Sequence, residues 1–346
     1  MTSYKNLHRF AVVTSFCTFL LIIAGGLVTS TQSGLAVPDW PTTYGHFMFA
    51  YPLDQMVGGI FYEHSHRMIA TFVGFLTVIL ALWLWRREDR LWVRVLGFTA
   101  LGAVIIQGIL GGLAVRFLLP TPISVSHATL AQTFFSLVVA LALFTSSWWR
   151  SDQLHLRNDT PSPKLFTLAL LTTGTVFIQL ILGALMRHTQ SGLAVPDFPL
   201  AYGQVFPSLN SDVMAEYNRL LINNDIRIAA DGEITSKQII IHMVHRIWAV
   251  VVSAMIIWTS IRLFKLSSLT KHVSRFAYVL LGVLALQISL GALTVLSVKA
   301  VDITTAHVAT GALLLATCVT MTLHVAKVFG IRFQPAYSLS TKEATA

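Results

Sequence analysis

Eight stretches of this chain, roughly residues 8–29, 64–86, 91–115, 123–148, 164–188, 238–263, 273–298 and 303–328, are apolar and nearly free of charge. Each is long enough to cross hydrocarbon as a helix, which takes about 20 residues. Inside a bilayer the backbone must satisfy its own N–H and C=O groups, so each stretch is predicted to be a transmembrane α-helix. The composition agrees, because 55% of the 346 residues are hydrophobic and 11% are charged, more apolar surface than a water-soluble core can hide. The expected fold class is all-α integral membrane. The first stretch follows Lys5 and Arg9 as a signal peptide would, but it exceeds the usual apolar segment of about 7–15 residues. It also has an internal counterpart, so it is expected to remain as a span.

An even number of spans puts both termini on one side, and basic residues choose the side. With the termini in the cytoplasm, 16 of the 24 Lys and Arg residues fall on inward loops and tails, among them Arg86, Arg87, Arg90, Arg94, Arg150, Arg157, Arg332 and Lys342. The other face keeps Arg67, Arg116, Arg187, Arg219, Arg227, Lys237, Arg246 and Lys299. The positive-inside rule therefore places both termini in the cytoplasm. The net charge of +9 reflects this bias toward anionic lipid headgroups and implies no nucleic-acid partner. Cys17 and Cys318, the only cysteines, both lie within expected helices and read as small apolar packing residues.

The chain repeats itself. Thr31-Gln32-Ser33-Gly34-Leu35-Ala36-Val37-Pro38-Asp39-Trp40-Pro41 recurs as Thr189-Gln190-Ser191-Gly192-Leu193-Ala194-Val195-Pro196-Asp197-Phe198-Pro199, and Tyr44-Gly45 recurs as Tyr202-Gly203, at an offset of 158. Gln107 to Leu113 matches Gln287 to Leu293, and His127 matches His307, at an offset of 180. Four spans separate the copies, so both have the same orientation: two pseudo-symmetric four-helix bundles in tandem, residues 1–158 and 159–346, joined by the polar segment Ser151–Lys164. Gly111, Gly112, Gly183 and Gly291 are expected to let helices approach closely. The repeated loop either returns the chain to the bilayer surface or folds over a pocket in each half. Residues 204–237 have no twin, and the sequence assigns them no role.

Polar chemistry inside the spans centres on Glu63-His64-Ser65-His66-Arg67 and its twin His242-Met243-Val244-His245-Arg246. A second histidine follows each about sixty residues on, His127 and His307. Each of His66, His127, His245 and His307 lies within about two turns of the outer end of a helix, at about 1.5 Å rise per residue. Ionisable groups at such positions are costly and usually functional. Two imidazoles per half, with no nearby thiolate or second carboxylate, make a poor zinc or copper cage but suit the two axial positions of a haem iron. His64 lies about 200° round the helix from His66 and is expected to point elsewhere. Arg67 and Arg246 are candidates for haem propionates, with Arg116 and Lys299 as alternatives. His8, His155, His272 and His324 lie near the inner boundary, where solvated or interfacial roles are expected, and His46 and His188 flank outer loops. Glu63 has no acidic twin, since His242 takes its place, so a general acid or base is expected in the first half alone. The plainer alternative is an acid serving free N–H groups at a helix start.

On these residues, Glu63-x-x-His66-Arg67, His127, His245-Arg246, His307 and the doubled Gly-Leu-Ala-Val-Pro-Asp-aromatic-Pro loop, the chain resembles the haem A synthase family over nearly its whole length. The resemblance implies an eight-helix oxidoreductase that converts the C8 methyl of haem O to a formyl group for cytochrome oxidase biogenesis. It implies that His66, His127 and Arg67 face substrate haem O, that His245, His307 and Arg246 hold a haem b cofactor, and that Glu63 is catalytic. Haem O synthase (the protohaem farnesyltransferase) and cytochrome oxidase assembly factors are the implied partners, and a homo-oligomer is compatible. Many bacterial members carry a cysteine pair in the first outer loop, and this chain has none there. A bis-histidine di-haem electron carrier would use the same ligands, while a haem transporter would place them at mid-membrane. No transit peptide is evident, which favours a bacterial cytoplasmic membrane with the haem sites near its outer face.

Overall fold

The computed structural model describes residues 2–151, 163–226, 233–266 and 271–329, and among them β-structure is limited to two isolated bridges. Helix α1 spans Thr2–Ser30, α2 Gly58–Arg87, α3 Leu91–Arg116 and α4 Thr121–Thr145, followed by the single turn α5 (Ser147–Arg150) and by α6 (Pro163–His188). The short α7 (Ser211–Asn223) precedes α8 (Ser236–Phe264), α9 (Lys271–Leu296) and α10 (Val301–Val328). Eight of these are long and apolar enough to cross a membrane, and the chain is an all-α integral membrane protein. Most of the interior of the expected connector Ser151–Lys164, with its boundary at 158/159 and His155 and Arg157, lies outside the described residues, as do Arg227, Arg332 and Lys342.

Two ends of the sequence-expected helices moved for identifiable reasons. Helix α2 begins at Gly58 rather than 64, where the left-handed φ of +53° breaks from the preceding extended chain. Helix α4 stops at Thr145 rather than 148 because Ser146 turns extended, and its hydroxyl accepts the Trp149 N–H to cap α5.

Within the first half, α1 packs on α2, α2 on α3, α3 on α4 and α4 back on α1. Within the second, α6, α8, α9 and α10 close an equivalent ring. In each ring the diagonal helices stay apart, and the histidine-bearing ones, α2 and α4 or α8 and α10, are diagonal. The rings join where α1 meets α10 and α4 meets α6 and α10. Fully buried apolar side chains fill the end of each bundle away from the long loops, and the members nearest the histidines are Ile22, Val73, Ala103 and Phe134 in one half and Val176, Val252, Leu284 and Leu314 in the other. Hydroxyl pairs add polar contacts between helices there, with Thr172 and Thr259 at 2.7 Å and Thr173 and Thr322 at 2.9 Å.

The end opposite the loops is tied by one acid. Glu88, in the turn between α2 and α3, is fully buried and bonds Arg90 at 2.8 Å and Arg150 at 2.9 Å, while Arg94 donates to its backbone carbonyl. Lys327 of α10 donates to the carbonyls of Trp148, Trp149 and Ser151, so both halves converge on the same knot. His324 lies on the Trp148 ring, centroids 4.1 Å apart, and His8 bonds the Ala142 carbonyl. Both are therefore packed between helices rather than solvated. Burial alone would raise the Glu88 carboxyl, but donation from Arg90 and the charges of Arg90 and Arg150 outweigh it and hold it below the usual carboxylate range. A carboxyl depressed by folding stabilises above its ordinary pKa, and that stability is lost as pH falls through the folded value. Glu88→Ala strands two guanidinium groups and is expected to lower stability in detergent by about 3 kcal/mol, read from the unfolding midpoint. The deficit should persist across neutral pH and narrow in acid, where the unmodified chain loses the same contribution.

Candidate functional site

The doubled loop is built the same way twice. After each Pro-Asp, two residues with positive φ, Tyr44 and Gly45 or Tyr202 and Gly203, make a tight turn closed by a bridge from Thr43 to His46 or from Ala201 to Gln204. The aspartate accepts both turn N–H groups, Asp39 from Tyr44 and Gly45 at 2.7 and 2.9 Å, Asp197 from Tyr202 and Gly203 at 2.8 and 2.9 Å. Each tyrosine hydroxyl donates back to Ala36 or Ala194. Burial works to raise the Asp39 carboxyl, yet donation from Gly45, Thr42 and Tyr44 prevails and keeps it below its ordinary range.

An arginine fastens each loop to its helix. Arg67 donates to the carbonyls of Val37, Asp39 and Thr42 and pairs with Glu63 at 2.6 Å. Arg246 donates to Val195, Asp197 and Leu200 carbonyls and, through Nε, to His242 at 3.0 Å. Four of the five guanidinium N–H groups of Arg67 are thereby committed, which leaves little for the propionates expected from the sequence. Glu63 Oε2 also accepts the Val37 N–H at 2.8 Å, while His242 engages the Ser191 carbonyl through Nδ1 at 3.0 Å. Glu63 and His242 are therefore both loop anchors, and Glu63 does not serve the free N–H groups of its own first turn. Each oxygen of Glu63 still keeps a lone pair for a further donor. His64 bonds Thr43 at 3.1 Å beside Tyr51, so it holds the loop, as its helical position implied.

The four expected ligand histidines share a setting that sequence reasoning missed. His66, His127, His245 and His307 stand 8, 6, 9 and 6 residues past the first residues of their helices, about 9–14 Å along the axis. Each imidazole lies against a glycine of a neighbouring helix: a Cβ on Gly25, Gly111, Gly183 or Gly291 would meet the ring Cε1 of His66, His127, His245 or His307 at 3.1, 3.2, 3.2 or 3.0 Å. These glycines seat imidazoles rather than merely letting helices touch. The Nδ1 atoms of His66, His127 and His307 are buried without a hydrogen-bond partner. Four residues before each glycine stands Gln107, Gln179 or Gln287, and Leu21 in the remaining case. Gln107 and Gln179 donate to the backbone carbonyls of His127 and His245 at 2.9 and 3.1 Å. The spacing Gln-x-x-x-Gly, present three times, was the available signal.

Within each half the two histidines are near enough to feel each other's charge. Among the described residues no group of three or more His, Cys, Asp or Glu side chains could hold a metal ion, and both cysteines are free. Two imidazoles on diagonal helices, backed by glycines and with Nδ1 of His66, His127 and His307 free of partners, fit the two axial donors an iron porphyrin needs, while at His245 the Gln179 amide, 3.2 and 3.3 Å from the ring nitrogens, would have to yield one of them.

The halves differ around this shared frame. Trp40 packs directly on α3, where a Cβ on Gly112 would come within 2.5 Å of the indole. The twins are Phe198 and Ala292, and Phe198 lies under Arg246 instead, 5.8 Å from ring centroid to guanidinium carbon. The unmatched segment after the second loop supplies α7, whose Tyr217 stacks on Tyr202 with centroids 3.6 Å apart and whose Leu221 joins Leu193, Val195 and Ile239 in a buried cluster. Arg116 is exposed, whereas Lys299 is partly buried with its stem over Gly192.

Comparison with known proteins follows the same lines. The family model described as cytochrome oxidase assembly protein matches residues 8–319. A "Heme A synthase" of Halalkalibacterium halodurans is 30% identical over 226 residues, covering 62% of this chain and 70% of that protein. One from Alkalihalophilus pseudofirmus is 28% identical over 216 residues, covering 62% and 70%. Another, from Novosphingobium aromaticivorans, is 25% identical over 349 residues and covers 90% of this chain and 92% of its own. With all four helix-borne histidines and both loops inside a match that omits little beyond the two ends, the chain belongs to the haem A synthase family of cytochrome oxidase assembly proteins.

Proposed function

We propose that the chain oxidises the C8 methyl of haem O to a formyl group, with the substrate between His66 and His127 in residues 1–158 and a resident haem b between His245 and His307 in residues 159–346. The observation that carries this division is the acid: two otherwise matched imidazole pairs, of which only the first has a carboxylate one helical turn away, Glu63 against His242. Haem b, when bound, would supply a one-electron acceptor, which an external electron acceptor would have to re-oxidise for each of the four electrons of the overall oxidation. With water as oxygen donor, the methyl group and one water give the aldehyde, four protons and four electrons, through an alcohol and a geminal diol that loses water.

The residues prepare that chemistry in the ground state. Arg67 and the Val37 N–H hold the Glu63 carboxylate in one place, so it meets developing positive charge at the substrate edge without reorganising. Its remaining lone pairs accept a proton from an attacking water. The loop fastened by Arg67 and laid on Gly112 through Trp40 excludes bulk water from above. The protein sits in a bacterial cytoplasmic membrane with termini inside and loops outside, and haem O synthase delivers its substrate. The position of the histidines near the loop end speaks against a carrier that moves haem through mid-membrane.

Glu63→Gln keeps the Val37 contact but removes the base. Haem A in the extracted pigment should fall by roughly 100-fold or more, with haem O accumulating and haem b retained. Undiminished haem A would remove Glu63 from the chemistry, and a pigment containing only unchanged haem b at both sites would favour a di-haem electron carrier. Gly291→Val drives a side chain into His307, so purified protein should lose its bis-imidazole haem b spectrum while still binding haem O. Equal loss from both sites would argue against separate haems in the two halves.

A further inference from the structure

Arg187 is out of place by ordinary rules. It closes α6 at the junction of the halves, partly buried, and no carboxylate pairs with it, since the ion pairs among the described residues are Glu63–Arg67, Glu88–Arg90 and Glu88–Arg150. Among the described residues its side-chain bonds run from Nη2 to the Gly26 carbonyl at 2.8 Å and the Ser30 hydroxyl at 2.7 Å, both on α1 of the other half. Thr305 of α10 donates to the same hydroxyl at 3.2 Å. Nε and Nη1 therefore have donors to spare. Lys299, in the turn between α9 and α10, also has no side-chain partner among the described residues, and burial together with the charge of Arg187 holds its ammonium below the usual lysine range. Arg187 stands one helical turn beyond Gly183, the glycine against which the His245 ring lies.

Two uncompensated cations in a partly buried junction are unfavourable unless an anion joins them. The other described loop-end cations do not compete for that anion: Arg67 and Arg246 are committed to loop carbonyls, and Arg116, Arg219 and Lys237 are exposed. The twins of Arg187 and Lys299 in the first half are Thr29 and Leu119, so the cationic pair belongs to the second half alone.

Resting on the haem b reading above, we propose that Arg187 and Lys299 bind the two propionate carboxylates of the haem held between His245 and His307, and that Arg187 at the same time fastens that cofactor to α1. Two cations match two carboxylates, and guanidinium–carboxylate bonds are among the strong charge-assisted kind. The absence of the pair from the first half suits a site whose haem must leave as product. A phospholipid headgroup offers the same anionic oxygens, and the experiment separates the two.

Full-length protein carrying His66→Ala, so that only the second site loads, is stripped of haem and titrated with protohaem and with protohaem dimethyl ester, followed by absorbance. The intact cation pair should prefer the free acid by about tenfold or more, and Lys299→Met or Arg187→Gln should each remove most of that preference. In the reconstituted protein either variant should also shift the haem midpoint potential negative, because a lost cation favours the ferric state. Equal affinity for acid and ester before substitution overturns the proposal, as does phospholipid phosphorus that co-purifies with the intact pair and is lost in both variants while the ester preference stays put. If adding His245→Ala leaves the titration unchanged, the haem site itself is misplaced and the proposal goes with it. Because Arg187 also packs against α1, Lys299→Met, in a turn, decides the matter should Arg187→Gln fail to fold.

Discussion

Everything at the loop end of this molecule depends on the closeness of four imidazoles to four glycine backbones. A methyl group at Gly25, Gly111, Gly183 or Gly291 would stand 3.0–3.2 Å from a ring carbon, so the helix surface itself forms one wall of each histidine's slot. That wall limits rotation of each ring. The histidine-bearing helices, α2 and α4 or α8 and α10, are diagonal in their rings, and each packs mainly on the helices between them. The fully buried apolar core ends below the histidines. Rigid placement of this kind is what axial ligation needs, since a metal site gains little from side chains that must be ordered on binding.

The same frame carries two different sets of attachments, and these separate the halves chemically. Glu63 and His242 occupy one structural position and do one mechanical job, holding the loop through an arginine, yet only one of them is an acid. Trp40 on Gly112 is exchanged for Phe198 under Arg246, with Ala292 at the position of Gly112. Helix α7 braces the second loop through Tyr217, where the first loop has Tyr51 against Tyr44 at 6.1 Å. Arg187 and Lys299 add cations that the first half lacks. These differences are in keeping with the proposed division between a haem that is kept in the second half and one that is exchanged in the first.

The family's architecture was legible in the residues because membrane spans announce themselves through length and charge, and because the loop repeats nearly letter for letter. The candidate site was legible in part. His66, His127, His245 and His307 stood out as ionisable groups in apolar helices, and the lone acid stood out by comparison of the copies. For Arg67 and Arg246 the position beside a candidate ligand histidine did not show where a long side chain ends, and both reach loop carbonyls. The glycines were taken as helix contacts for the same reason: sequence shows a missing side chain but not what enters its space.

What the sequence by itself determined is the list of spans and the place of the candidate donor histidines within them, both properties of hydrophobic length and residue chemistry along the chain. Only the tertiary structure decided which glycine faces which imidazole, which helices are diagonal, and that Arg187 reaches across to Gly26 and Ser30. Those are relations between surfaces distant in sequence, set by how eight helices pack, and no local periodicity encodes them.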